Sequence, residues 1–249
     1  MTGPAMEIAV LAPIVLLAYT AQALTGFGAS LIAVTLGAHF MGVDRLVPVL
    51  IPLTVAATGA IAWKERTHID RRLLIKRVYP FMGMGVIAGL LLYEILKNAA
   101  PEWLLGLIVV GFASRQLWVH LRGKEGNFTM SRPASFLLLI MAGIAQAFYT
   151  TGGPFITYAF MGERLPKAAF RATLCTVWFS FNTFLVLAFF LNGRLNLDAL
   201  QITLPLFLAL PAAFFLGDRL HTMVSEKSFQ IITSILLILS GFPLVLGSC

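Results

Sequence analysis

The stretch AQALTGFG, residues 21–28, places two glycines and a threonine inside the first long apolar segment of the chain. That segment, residues 8–43, has 36 consecutive positions without Asp, Glu, Lys or Arg. One straight helix of that length would measure about 54 Å, whereas the hydrocarbon core of a bilayer is about 30 Å thick. The pattern therefore predicts that the helix breaks near residues 25–28 and that the chain turns back.

The composition indicates an integral membrane protein of helical type. Hydrophobic residues make up 59% of the 249 residues and charged residues 12%, against about 25% charged in a typical soluble domain. Seven further charge-free runs follow the first, most of them near the roughly 20 residues that a spanning helix needs: residues 46–63, 78–93, 103–114, 133–162, 172–193, 199–217 and 228–249. The net charge of +7 comes from cations in short loops between these runs, a pattern typical of membrane orientation and not of a nucleic-acid surface.

An internal repeat divides the chain into two halves. Ala21-Gln22-Ala23 recurs 124 residues later as Ala145-Gln146-Ala147, and each copy precedes a Gly/Thr-rich stretch, residues 25–28 and 150–153. Further pairs follow in the same order: Arg45 with Arg171, His68-Ile69-Asp70 with Asn196-Leu197-Asp198, and Gly89 with Gly217, at offsets of 126 to 128. We assign repeat 1 to about residues 6–121, a linker to 122–132 and repeat 2 to about 133–247, within one transmembrane domain spanning residues 1–249.

The distribution of Lys and Arg distinguishes two topologies. If every apolar run crosses once, eleven cations lie on one side and seven on the other. If the first and fifth runs are broken hairpins, loops 64–77, 115–132, 163–171 and 218–227 share a side and hold fifteen cations, leaving Arg45, Lys97 and Arg194 opposite. The hairpin topology gives the stronger bias. It predicts an all-α protein of two inverted repeats, each a broken or re-entrant hairpin plus three transmembrane helices, with both termini outside the cytoplasm.

The two breaks are the candidate substrate site. Non-helical backbone is tolerated in a membrane where it is buried in protein or lines a wet cavity, and inverted-repeat transporters bind substrate near the midplane at such breaks. New helices beginning near Ala29 and Pro154 would present free N–H groups to an anion. The candidate ligands are Gln22, Thr25, Gly26, Phe27, Gly28 and Ser30 in the first half, and Gln146, Tyr149, Thr150, Thr151, Gly152 and Gly153 in the second. Alternatively, these small residues only allow close helix packing.

A polar stripe follows the second break. Arg171, Cys175, Trp178 and Asn182 are spaced to lie on one face of a helix. Arg171 is a candidate to attract an anion at the cytoplasmic mouth, and Trp178 and Asn182 to line its path. The alternatives are that Arg171 extends to the interface as an anchor and that Asn182 bonds between helices.

Several of these motifs together resemble the sulfite exporter TauE/SafE family over roughly residues 8–247. The resemblance rests on Thr25-Gly26-Phe27-Gly28 with Ser30-Leu31-Ile32, on His68-Ile69-Asp70, on Thr151-Gly152-Gly153-Pro154 and on Phe170-Arg171-Ala172-Thr173. The first-half motif departs from the family at Ala29 and Ser30, where a second glycine is frequent. The resemblance implies an inner-membrane permease that exports a small sulfur-containing anion, such as sulfite or an organosulfonate.

Two other functions are alternatives to this one. An anion channel would use the same residues with both gates open together. A membrane-embedded enzyme would need a nucleophile with a base, or clustered metal ligands, and the apolar runs contain no such spacing; the two cysteines, Cys175 and Cys249, suggest neither a disulfide framework nor a metal site. We therefore expect no catalytic residue, metal or cofactor. The expected partners are a small anion, the lipid bilayer and a second copy of the chain in a homodimer.

Overall fold

A computed structural model describes residues 3–96, 102–121, 131–150, 152–160, 163 and 165–223, with isolated positions beyond 223. Every regular element in this part of the chain is a helix, as predicted. The α-helices are α1 Pro4–Thr25, α2 Ala29–Gly37, α3 Val43–Lys64, α4 Arg71–Leu73, α5 Tyr79–Leu96, α6 Glu102–Leu121, α7 Arg132–Tyr149, α8 Gly153–Phe160, α9 Lys167–Leu191, α10 Leu197–Leu206 and α11 Ala209–Met223. A 3-10 turn, Arg66–His68, precedes α4, and a π-helical turn, Leu74–Val78, joins α4 to α5.

The first predicted break is confirmed. Helix α1 ends at Thr25 and α2 begins at Ala29. Gly26 has φ +85° and Gly28 has φ +99°, and this left-handed backbone is favourable for glycine, which has no Cβ to collide with the carbonyl oxygen. The two glycines therefore end one helix and set the direction of the next.

The second predicted break is also confirmed, with a correction. Helix α7 ends at Tyr149 and α8 begins at Gly153, one residue before the predicted start. The left-handed residue is Thr150, at φ +52°, and neither Gly152 nor Gly153 has positive φ. Gly152 is required for a different reason: an added Cβ would lie 2.5 Å from the carbonyl oxygen of Ala142. Close packing, and not left-handed backbone, explains the glycine at that position.

The described helices make this a multi-pass membrane protein. Four are long and apolar enough to span a bilayer: Pro4–Thr25, Val43–Lys64, Arg71–Tyr93 and Ala168–Leu191. Helices α10 and α11 form a fifth candidate span with a 45° bend between Leu206 and Ala209. Pro205 lies at that bend and has no N–H for the helical ladder, which accounts for the interruption.

Contacts divide the chain into two compact units that do not coincide with the sequence halves. Unit 1 contains residues 1–80 and 165–221, and unit 2 contains residues 81–164 and 222–249. Unit 1 thus combines α1–α3 of the first half with α9–α11 of the second.

In unit 1, α3 and α9 pack against each other and run in opposite directions. Glu65, after the end of α3, contacts Arg171 near the start of α9. At the opposite end, Asp44 in the first turn of α3 lies 3.7 Å from Arg194, just after α9. The charged residues of this pair therefore lie at its two ends.

The first hairpin of unit 1 returns to the end from which it starts. Glu7, near the start of α1, forms a two-fold ion pair with Arg45 in the first turn of α3, with N–O distances of 2.6 and 3.1 Å. Since α1 and α3 begin together, the break and α2 bring the chain back between them. Helix α1 is long enough to cross the bilayer, whereas the nine residues of α2 extend only about 14 Å.

The repeated glycines make corresponding contacts within the two units. In unit 2, a Cβ added at Gly89 would lie 2.7 Å from Cβ of Ala147. In unit 1, a Cβ added at Gly217 would collide with Ala23. Ala23 and Ala147 are paired in the predicted sequence repeat, and the contacts place α5 of the first half on α7 of the second, and α11 of the second half on α1 of the first.

Candidate functional site

The turn at the first break is held by its own residues. The N–H of Gly26 donates to the carbonyl oxygen of Gln22 at 2.7 Å. The hydroxyl of Thr25 lies 2.7 Å from the carbonyl oxygens of both Ala21 and Phe27, and accepts from the N–H of Phe27 at 3.3 Å. Thr25 therefore stabilises the turn, and its single hydroxyl proton is already shared between two acceptors.

Helix α2 begins at this turn without a side-chain cap. Its N-cap residue is Gly28, and no side chain accepts a hydrogen bond from the first turn. The first N–H groups of a helix have no partner within it and carry the positive end of the helix dipole. The start of α2 is consequently a set of donors that favours a negative charge.

Helix α9 packs directly on the turn. A Cβ added at Gly26 would lie 3.0 Å from both Cα and the carbonyl oxygen of Arg171. The thiol of Cys175 donates to the carbonyl oxygen of Gly26 at 3.6 Å. Cys175 also packs with Ile61 and Ala62 of α3. The first break thus lies level with the last turn of α3, nearer to one end of that helix than the predicted midplane position.

Arg171 is the buried cation of this site. Its side chain is 2% exposed, so it does not extend to the surface as an anchor. Nη2 donates to Oδ1 of Asp218 at 3.0 Å, and Nε lies 3.5 Å from Oε1 of Glu65 without forming a hydrogen bond. Nη1 has no hydrogen-bond partner although it is buried. Lys64 donates to Oδ2 of Asp218 and completes a cluster of two cations and two carboxylates.

The predicted polar stripe of α9 is confirmed as a buried face. Arg171, Cys175, Trp178 and Asn182 are all buried in unit 1. Glu65 and Asp218 were not predicted as site residues. Each is next to a cation in a charged segment of the sequence, where a carboxylate usually only neutralises its neighbour. The only signal was a carboxylate within a segment otherwise rich in Lys and Arg, and that signal does not indicate which cation it would meet.

Two further first-half candidates are buried near the turn. Gln22 keeps its Oε1 without a hydrogen-bond partner. Ser30 has its hydroxyl 3.3 Å from Oγ1 of Thr54, which in turn lies 2.7 Å from the hydroxyl of Tyr19. Ser30 thus belongs to a polar network between α1, α2 and α3, whereas Gln22 retains an acceptor for another group. A third first-half candidate, Phe27, is also buried.

The second break belongs to unit 2 and has a related local structure. The N–H of Thr150 donates to the carbonyl oxygen of Gln146 at 3.0 Å, as Gly26 does to Gln22. The side-chain Oε1 of Gln146 accepts from the N–H of Gly152 at 3.1 Å. Gln146, Thr150, Gly152 and Gly153 are buried. Thr151 and the side chain of Tyr149 lie outside the described residues.

The described side chains hold no group of three or more His, Cys, Asp or Glu positioned for a metal ion. The first break presents two kinds of hydrogen-bond donor, the buried guanidinium of Arg171 and the N–H groups at the start of α2. Such groups bind oxyanions, since arginine presents its N–H groups in a planar fork that matches their oxygens.

Comparison with known protein families matches residues 11–244 to the family described as TauE: Sulfite exporter TauE/SafE. No curated protein and no solved structure matches the chain.

Proposed function

Because the chain belongs to the sulfite exporter TauE/SafE family, we propose that it is a secondary transporter that moves sulfite or a small organosulfonate across the cytoplasmic membrane. The observation that carries this proposal is the buried guanidinium of Arg171, which packs on the first break and keeps Nη1 without a partner. A buried donor without a partner costs about 1–3 kcal/mol. An oxyanion that binds Nη1 would remove that cost.

The electrostatics of the first break support an anion and not a cation as substrate. The uncapped start of α2 lies three residues beyond Gly26, so its dipole adds to the charge of Arg171. Glu65 and Asp218 offset the charge of Arg171 and Lys64, which allows the guanidinium of Arg171 to remain buried in the absence of substrate. We assign binding roles to Arg171 and to the backbone of residues 26–30, with Trp178 and Asn182 farther along the same face of α9.

We propose that the second break is an anion-binding element of unit 2 and the repeat counterpart of the first, through Gln146, Tyr149, Thr150, Thr151, Gly152 and Gly153. Three observations support the inverted repeat: the first hairpin returns to its starting end, both breaks bond to the carbonyl of a repeated glutamine, and repeated glycines make corresponding contacts. The proposed orientation puts Arg171, Glu65 and Asp218 at the cytoplasmic end of unit 1, and both termini outside.

A thermal-shift screen of the purified protein tests the substrate class, because a ligand stabilises the folded state according to its affinity. Sulfite, sulfoacetate, isethionate, taurine, sulfate and matched carboxylates are the probes. We expect stabilisation by at least one sulfite or sulfonate and a much smaller effect of its carboxylate analogue. If carboxylates stabilise and all sulfur anions fail, the substrate is another organic anion.

Counterflow in proteoliposomes distinguishes a carrier from a channel. A carrier gives saturable exchange of labelled for unlabelled anion, whereas a channel gives large single-channel currents without counterflow. We expect Arg171→Lys to reduce exchange at least about tenfold, because lysine keeps the charge and loses the planar fork. Arg72→Lys, at an exposed position, is the control and should retain exchange within about twofold of wild type. Equal activity of both variants would remove Arg171 from the site.

A further inference from the structure

The partners of Arg171 differ in how firmly they hold it. Asp218 accepts a hydrogen bond from Nη2 at 3.0 Å and is itself bound by Lys64. Glu65 lies 3.5 Å from Nε with no hydrogen bond, and its other oxygen, Oε2, is buried without a partner. The pair of Glu65 and Arg171 therefore leaves three buried polar atoms unsatisfied: Oε2, Nε and Nη1.

From this geometry we propose that Glu65 is an internal competitor of the substrate. Its carboxylate neutralises Arg171 while the site is empty, and a substrate oxyanion takes its place by hydrogen bonding to Nε and Nη1. Glu65 returns when the anion leaves. Asp218 stays on Nη2 throughout and keeps the guanidinium oriented. This inference rests on the proposed function, since it requires that Arg171 binds the transported anion.

Charge balance explains why such a competitor is useful. Lys64, Arg171, Glu65 and Asp218 sum to zero charge, so the empty site is neutral around the buried guanidinium of Arg171. A bare guanidinium there would hold an anion too strongly for release, because Coulomb attraction increases as the dielectric constant falls. A carboxylate that is already present but poorly bonded lowers the net gain of anion binding and promotes release. Glu65 would therefore lower the affinity for the anion and raise the turnover rate.

The other charged and polar groups near Glu65 already have partners, which is consistent with Glu65 and the anion replacing each other on Arg171. Lys64 lies beside it on the same chain segment and is committed to Asp218. Arg66 follows it and lies over the exposed ring of Trp63, 5.1 Å from the ring centroid. Cys175 is on the same face of α9 and bonds to Gly26. Arg171 is thus the cation with which the structure pairs Glu65.

Glu65→Gln tests the proposal in the full-length protein. We expect the dissociation constant for sulfoacetate to fall about tenfold, since the glutamine is isosteric but no longer opposes the anion. The gain should be larger for the dianion sulfoacetate than for the monoanion methanesulfonate. In proteoliposome exchange, KM should fall and the maximal rate should also fall, because release slows. A merely structural role for Glu65 would not produce a gain that depends on substrate charge.

Asp44→Asn is the matched control. It also removes one negative charge near an arginine, but at the opposite end of α3 and with a side chain 78% exposed. Its dissociation constants should match those of wild type. If Glu65→Gln does not purify as a folded protein, Glu65→Asp carries the test, because the shorter carboxylate lies farther from Nε; we then expect about threefold tighter binding.

The two proposals fail in different ways. If wild type binds no sulfite or sulfonate, the proposed function fails. If wild type binds one of them and the Glu65 variant that folds binds it equally or more weakly, Glu65 is not a competitor while the transporter proposal stands.

Discussion

At the scale of single residues, Gly26 meets two requirements at once. Its φ of +85° is unfavourable for any side chain, and its Cα lies against the backbone of Arg171. Gly28 and Gly193 have similar positive φ, at +99° and +75°, but an added Cβ at either has no atom within 4 Å. These three glycines therefore separate the effect of backbone conformation from that of close packing.

We expect Gly26→Ala to be the most damaging substitution of the three. Left-handed backbone costs an alanine about 1–2 kcal/mol at each position, and at Gly26 the added methyl must also displace the backbone of α9. Gly28→Ala and Gly193→Ala should lower the unfolding temperature in detergent by similar, smaller amounts. Exchange activity should fall for Gly26→Ala and Gly28→Ala and persist for Gly193→Ala. Equal stability of all three variants would mean that Gly26 does not pack on Arg171 as described.

Features that depend on neighbouring residues in the sequence could be predicted, and contacts between distant residues could not. The breaks at residues 25–28 and 150–153 could be predicted because glycine and a length mismatch are local signals. The shared face of the α9 stripe could be predicted because helical periodicity is local as well, whereas the burial of Arg171 was one of two alternatives. The partners of Arg171 could not be predicted. Glu65 and Asp218 are 106 and 47 positions away in the sequence, and only the packing of the helices brings them close to Arg171. The contact of Gly152 with Ala142 could not be predicted for the same reason, because Ala142 lies on the preceding helix.

At the scale of elements, two corresponding caps begin helices in the two halves. The side chain of Asp70 accepts from the N–H of Leu73 at 2.9 Å, and that of Asn196 accepts from the N–H of Ala199 at 2.9 Å. The two caps are 126 residues apart, the offset that also relates Arg45 and Arg171. These caps favour Asn196 over Asp198 as the counterpart of Asp70 in the proposed repeat.

We expect Asp70→Ala and Asn196→Ala each to destabilise the protein by about 1 kcal/mol, the usual cost of losing an N-cap. Asp198→Ala is the internal control, since Asp198 is exposed and lies two residues beyond the cap. Thermal unfolding in detergent measures the three effects. A larger loss for Asp198→Ala than for Asn196→Ala would show that the capping residue has been assigned wrongly.

The second break gives a separate element-scale prediction. Gly152→Ala would bring a methyl group 2.5 Å from the carbonyl oxygen of Ala142, so α7 and α8 must separate. We expect loss of anion exchange with normal insertion into the membrane, and Gly152→Val should be at least as severe. Gly111→Ala in α6 is the control, because an added Cβ there has no atom within 4 Å. Full exchange activity of Gly152→Ala would remove this break from the transport path.

At the scale of the whole molecule, the proposed topology puts the two ends of unit 1 on opposite sides of the membrane. Thr67 lies in the charged segment after α3, and Asp198 lies in the first turn of α10, which follows α9 at the opposite end; both are exposed. The one-crossing topology instead puts loops 64–77 and 194–198 on the same side. Single cysteines at these two positions distinguish the two arrangements.

We expect Asp198→Cys to react with a membrane-impermeant maleimide in intact cells, and Thr67→Cys to react only after the membrane is opened. Cys249 is replaced by serine in this experiment, while Cys175 can remain because it is fully buried. Labelling of both positions from outside would contradict the hairpin topology. If only Thr67→Cys reacts from outside, the two ends still lie on opposite sides of the membrane, but the orientation of the protein is the reverse of the one proposed.

The position of the first break also determines how transport should depend on the membrane potential. Because the break and Arg171 lie level with the last turn of α3, an anion reaching them from that side crosses only a small part of the electric field. The remaining distance along α3 contains most of the voltage drop, worth about 2.3 kcal/mol per charge per 100 mV. Entry from the near side should therefore be almost insensitive to voltage, and the passage between Arg171 and the far side should be the electrogenic step.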